Sequence, residues 1–347
     1  MKPRAQQIVV LLTSLFLCAS CSAQTSRQVA PSDQSSPPLK PVPRSDLNKF
    51  AIIIGGASGE ETYAKQFDQW ISDLNNALTT NFGFPAQQVK ILSEKPVEPA
   101  AARATADEVK RTFATLKSSM QPENVLFVFL IGHGTFDGKE AKFNLVGPDL
   151  SAVDYNNLLS SLPTRRIVIF NMASASGEFI KKLSAKGRIV VTATRNGQEQ
   201  NATRFAGFFI AALKASDADT DQDGHISVLE AFAYASRLTA DFYARAGRLA
   251  TEHALLDDNG DGVGREKAEA GEGLLARATY LDSLNMEQAA ANAATAKLLR
   301  ERTRLEGEIE QLIGRKGSLP DAEYEASLER LFIELAKVNR SIKQAGS

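Results

Sequence analysis

Two side chains stand where a sheet protein does its chemistry. His133, between Gly132 and Gly134, follows the apolar run Val125-Leu-Phe-Val-Phe-Leu-Ile131. Ser174 lies in Asn171-Met-Ala-Ser-Ala-Ser-Gly177, after the run Arg166-Ile-Val-Ile-Phe170. Each run is short, rich in β-branched or aromatic residues and apolar on both faces, as a buried parallel strand is. Ligands of open α/β sheets sit beyond the carboxyl ends of the strands, so both residues are delivered to one rim. An imidazole near a hydroxyl is the beginning of a base–nucleophile pair. Ser176 is a second candidate hydroxyl, and backbone donors near Gly134 and Ser174 could hold a carbonyl or carboxylate. Such a pair needs a third group to orient the imidazole, and Asp137, in an Asp-Gly turn, is the nearby acid. Arg195 follows a further run, Arg188-Ile-Val-Val-Thr-Ala-Thr194, and would border a substrate groove, where it could hold an acidic side chain. The plainer alternative is that Ser174 and Ser176 cap a helix starting near Gly177, and that His133 is a strand-end residue bonded to backbone.

An apolar strand ending in His-Gly, then another ending in Ala-Cys-x-Ser-Gly, resembles the legumain and caspase clan of cysteine peptidases (peptidase C13, caspase-hemoglobinase type). Here Ala173-Ser174-Ala175-Ser176-Gly177 stands at the second motif, and Ser174 takes the place of the clan's cysteine. The resemblance covers roughly residues 48 to 250, and the spacing from His133 to Ser174 is similar to that of the legumain branch. It implies a three-layer α/β/α sandwich with a mostly parallel sheet. The clan's activity does not carry over with it, because the reacting atom is different.

A second chemistry is written in Asp219-Thr-Asp221-Gln-Asp223-Gly224-His225-Ile226-Ser227-Val-Leu-Glu230. This run meets the constrained positions of an EF-hand loop. Asp219, Asp221 and Asp223 offer carboxylates, Gly224 permits the sharp turn, and His225 offers its carbonyl. Ser227 holds the often water-mediated position, and Glu230 closes the shell. Ca2+ is the expected ion, and an acidic surface turn without an ion is the alternative. Asp257-Asp-Asn259-Gly-Asp261-Gly262 begins like a second such loop. Its twelfth position is Ala268, so closure would need Glu266 or Glu269. His225 and His253 are too isolated to indicate a transition-metal site.

The elements that must position these groups follow from pattern. Phe50-Ala-Ile-Ile-Ile54 and Val89-Lys-Ile-Leu92 read as strands, and Tyr63 through Leu78 as an amphipathic helix between them. Thr105 with Glu108 opens another helix, and Ser151 with Asp154 a third. Lys142 to Val146 reads as a hairpin strand, and helices flank the acidic loop over 202–213 and 228–246. Strands alternating with helices predict a parallel sheet with right-handed crossovers. From Met286 to Ser347, apolar stripes over Leu298–Ile313 and Leu328–Ile342 predict an antiparallel helical hairpin or coiled coil. It would pack within itself or on the main domain, or bind a partner or a second copy.

Composition narrows the function. The 347 residues carry a net charge of −1 with no long basic block, which argues against nucleic acid as a partner. Both cysteines, Cys18 and Cys21, lie in an N-terminal leader, so residues 48–285 hold no disulfide, thiolate metal site or thiol nucleophile. Residues 1–23 read as a signal peptide: Lys2 and Arg4, then an apolar stretch too short to span a bilayer, then small residues. Cys18-Ala-Ser-Cys21 resembles a bacterial lipobox with Cys21 lipidated. The alternative is cleavage after Ala23 and soluble export. Residues 24–47, rich in Ser, Pro and Gln, read as an extended tether. The expectation is an exported, calcium-binding lipoprotein of the bacterial cell envelope with a caspase/legumain-like domain. That domain is expected to act as a non-catalytic peptide- or protein-binding module or scaffold, because a serine without a well-oriented base is a weak nucleophile. The alternative is a serine-type endopeptidase using Ser174 and His133.

Overall fold

A computed structural model describes residues 46–96, 102–221, 225–268, 272–281, 293–313 and 315–346. The leader, all but the last two residues of the tether, Cys21, Asp223, Gly224 and Glu269 therefore lie outside the described residues, as do 286–292 of the expected hairpin.

The central sheet grows from the apolar runs. Lys49–Gly55 (β1) and Val125–Ile131 (β4) pair in parallel along their whole length, and Arg166–Asn171 (β8) adds to the other side of β4. Val89–Ser93 (β2) and Ala102–Arg103 (β3) extend the sheet past β1, and Arg188–Thr192 (β9) extends it past β8. Leu255–Asp257 (β10) closes that edge as the antiparallel strand. The seven strands run in the order β10-β9-β8-β4-β1-β2-β3. β4 sits in the middle, and its residues from Leu126 to Ile131 are all buried, which is why its sequence has no polar alternation.

Helices cover both faces. Glu61–Asn76 (α1), Phe205–Ala212 (α5) and Val228–Arg245 (α6) bury Phe67, Leu74, Phe209 and Phe232 against Ile53, Phe127, Phe129 and Phe170. On the other face, Ala106–Ser119 (α2) and Ala152–Ser160 (α3) bury Val109, Phe113 and Tyr155 with Ile52, Ile54 and Ile169. The expected capping groups form: Thr105 accepts from the Glu108 amide, and Ser151 with Asp154 makes a full capping box.

Three expectations shift. The helix foreseen from Gly177 is a 3-10 turn, Ser176–Phe179, followed by one turn of α-helix, Ile180–Leu183 (α4). The hairpin strand shortens to Ala141–Phe143 (β6), paired with Gly134–Phe136 (β5) and with Leu150–Ser151 (β7) in a separate small sheet. β3, β7 and β10, too short to carry a periodic signal, were not foreseen. The C-terminal pair is Ala293–Ile313 (α8) and Asp321–Gly346 (α9), buried against each other through Leu305, Ile309, Leu328, Leu331 and Leu335. The pair also packs on Leu274–Ala278 (α7), where the Arg277 guanidinium lies 5.7 Å from the Phe332 ring centre. Among the described residues no helix is long and apolar enough to cross a membrane.

Candidate functional site

Because β4 and β8 are adjacent and parallel, the segments that leave them emerge side by side. Two glycines make their close approach possible. A Cβ on Gly134 would sit 2.4 Å from the Ser174 carbonyl oxygen, and one on Gly177 would sit 2.3 Å from the Arg195 carbonyl carbon. Between them the chain turns sharply at Ala175, whose φ of 53° is the only positive value at a non-glycine among the described residues. Its amide donates to the Glu199 carbonyl at 2.8 Å, which holds the turn.

Ser174 is 2% exposed. Its Oγ accepts from the Gly134 amide at 3.0 Å and donates to the Gly134 carbonyl at 3.1 Å. The hydroxyl proton therefore goes to a backbone oxygen, not to an imidazole. The Gly134 amide, one of the donors that could have held a substrate carbonyl, is occupied by the same serine. Ser176 is fully buried: it accepts from the Ala193 and Thr194 amides and shares a hydrogen bond with the Thr194 hydroxyl. It ties this turn to the end of β9 and faces no base.

The His133 ring packs on α1. It lies edge-on to Tyr63 and Phe67 of α1, with centroids 4.8 and 5.2 Å away. The Ser58 backbone lies near the ring, and the Ser58 amide and hydroxyl are held by Glu94. Burial lowers the imidazole pKa, against the Ser58 hydrogen bond and the Glu60 charge. Among the described residues no carboxylate hydrogen-bonds the ring to orient it. Asp137, the acid expected in that role, accepts from the Lys139 and Glu140 amides of its own turn, both at 2.9 Å. Arg195 faces two carboxylates, Glu199 at 3.5 Å and Glu266 at 3.6 Å, and a ring nitrogen of His253 at 3.3 Å. An acidic ligand there would compete with acids already present.

In the EF-hand-like loop, oxygens of Asp219, Asp221 and Glu230 lie within 4.8 Å of one another. Ligands 2.3–2.6 Å from a shared calcium ion span about 5 Å at most, so the three carboxylates fit one. The Ile226 carbonyl accepts from the Leu281 amide and the Val228 amide donates to the Thr279 carbonyl, bridging the loop to the Thr279–Leu281 segment, and the Ile226 side chain is buried. Ser227 caps α6: it accepts from the Glu230 amide, and its hydroxyl donates to Glu230 Oε2 at 2.8 Å. Glu230 Oε1 accepts from the Thr220 amide at 2.8 Å. The closing carboxylate therefore joins both ends of the loop. His225 stands beside the Tyr280 ring, 6.0 Å between centroids.

The second loop closes differently from expectation. Asp257 and Asp261 come together with Glu272, which sequence reasoning missed because it lies well past the twelfth position. Glu266 is drawn off by Arg195. The Asn259 oxygen accepts from the Asp261 amide, while its amide nitrogen reaches Glu272. Burial and the neighbouring Asp258 push the Glu272 carboxyl up to about 8, although Arg265 bonds to it. Asp258 caps α7, accepting from the Gly273 and Ala276 amides.

No protein-family model and no curated protein matches this chain. Among solved structures, protein GSU0716 from Geobacter sulfurreducens is similar at a TM-score of 0.42 and 12% identity, over 60% of this chain and 92% of that one. A likeness at that level identifies neither a family nor a function.

Proposed function

We propose that this chain is an exported, calcium-held member of the caspase–legumain clan that binds peptide or protein partners without cleaving them. It would be anchored through lipid on Cys21 and a tether ending near the first strand. One observation carries the non-catalytic part: the Ser174 hydroxyl is buried and engaged on both its donor and acceptor sides by Gly134. An acyl-transfer nucleophile needs its proton on a base and a free donor for the developing oxyanion. Here one backbone unit takes up both functions. His133 packs against Tyr63 and Phe67, and the Ser174 hydroxyl bonds to Gly134 instead of to that ring.

Calcium supplies charge neutralisation. It would be held by Asp219, Asp221, Asp223 and Glu230, with the His225 carbonyl and Ser227 completing the shell. In this role the loop fixes the start of α6 against Thr279–Leu281. Sites of this kind in extracellular modules work at about 10⁻⁴ to 10⁻³ M, so a structural ion suits an exported protein.

The test is to incubate the purified chain with a denatured protein mixture, with and without calcium, and to read new peptide termini by mass spectrometry. Ser174→Ala and His133→Ala proteins run beside it. Unchanged mixtures from folded, calcium-loaded protein are expected. New termini that vanish in both variants would establish the serine endopeptidase instead.

A further inference from the structure

The binding reading leaves open where a partner sits, and α6 supplies a place. A groove of about 930 Å3 runs along one face of this helix. Its wall includes Leu229, Phe232, Ala240 and Tyr243, which recur at helical spacing, and it extends to Leu249, 90% exposed. The acidic loop forms part of its lining through Thr220, Asp221 and Glu230. That volume lies within the range of ligand sites.

The lining holds four carboxylates, Asp221, Glu230, Glu252 and Glu266, and four cations, Arg237, Arg248, Lys267 and Arg277, and the two sets are unequally engaged, with Asp221 lying in the acidic cluster beside Asp219 and Glu230. Glu230 is engaged by the loop amides, and Glu252 by the Arg204 and Phe205 amides and the Tyr243 hydroxyl. Glu266 pairs with Arg195. Of the cations, Arg237 faces Asp217 at 3.8 Å and Arg277 stacks on Phe332. Arg248 and Lys267 are exposed and form no ion pair with any described residue. The Ser236 hydroxyl, also in the lining, is buried without a hydrogen-bond partner among the described residues. An apolar trough beside a helix, with two exposed cations at its rim that pair with no described residue, has the complement of an amphipathic helix bearing carboxylates beside its apolar stripe.

Resting on the binding reading above, we infer that the α6 groove is the docking site for an acidic amphipathic helix of a partner protein. Ridges of side chains on α6 would take the partner's apolar stripe. Arg248 and Lys267 would meet its carboxylates and fix its direction.

The experiment uses the full chain in calcium and fluorescein-labelled peptides of about eighteen residues, with leucine on one face and glutamate on the other. A second peptide carries lysine at each glutamate, and binding is read by fluorescence anisotropy at low salt. The glutamate peptide is expected to bind about tenfold more tightly or better. In the double variant Arg248→Glu, Lys267→Glu the preference reverses to the lysine peptide, and Ala240→Trp, which fills the trough, removes both. Equal binding of the two peptides, or a preference that the double variant leaves unchanged, overturns the proposal. So does the absence of binding by folded protein. Displacement of a bound dye by dodecanoate but by neither peptide overturns it in favour of an anionic amphiphile. Self-association abolished by Ala240→Trp overturns it in favour of a second copy. Cleavage of the protein mixture in the earlier test would remove the non-catalytic reading and leave this result standing.

Discussion

At Ser174 the competition is between two acceptors for one proton, and the Gly134 carbonyl wins because it lies 3.1 Å away while the imidazole faces α1. Truncation tests this directly. Ser174→Ala leaves a buried amide and a buried carbonyl without their partner, so unfolding in urea should show a loss of about 1–3 kcal/mol. A serine kept only for chemistry would show little change. His133 gives a pH signature. Its folded pKa is lowered by burial, so the unfolded chain takes up its proton first as pH falls below about 6.5. Stability contributed by the neutral ring is present above that pH and is lost as pH falls toward the folded value. Denaturation at pH 7.5 and 5.5 should show a smaller acid loss for His133→Gln than for the parent. The strand patterns were enough to bring His133 and Ser174 to one rim. The direction of the hydroxyl was not legible, because it depends on how closely two backbones approach at Gly134, which no local pattern encodes.

Among the elements, the turn after β8 is the most constrained. Gly177 lies against the Arg195 and Asn196 backbone, and Ser176 ties the same turn to Thr194. Gly177→Ala must push backbone against backbone, and a loss of about 1–3 kcal/mol in a urea melt is the expected result. The helix predicted here forms only as a 3-10 turn and one α-helical turn, because the anchoring of Ser176 and Gly177 to the Thr194–Asn196 backbone fixes the chain's path at its start. At α6 the local signal was complete, since a serine followed by Glu at the third helical position is a capping box whether or not an ion binds. Ser227→Ala should lower stability by about 1 kcal/mol in calcium-free buffer, read by chemical denaturation. The second acidic loop was half legible. Asp257 and Asp261 stand in the pattern, but Glu272 reaches them through tertiary packing of the segment before α7.

For the whole molecule, calcium at the proposed site would link the acidic loop, α6 and the Thr279–Leu281 segment. Calcium at a hundred times its dissociation constant should add about 2.7 kcal/mol to the unfolding free energy. Glu230→Gln separates the two tasks of that residue, because glutamine serves in a capping box but is a poor closing ligand. The variant should melt like the calcium-free parent and gain nothing from calcium. On the proposed function Ser174 does not act as a nucleophile, and intact-mass spectrometry after incubation with a fluorophosphonate tests this most directly. Unmodified protein, with and without calcium, is the predicted result. A single adduct that maps to Ser174 and disappears in His133→Ala would contradict it.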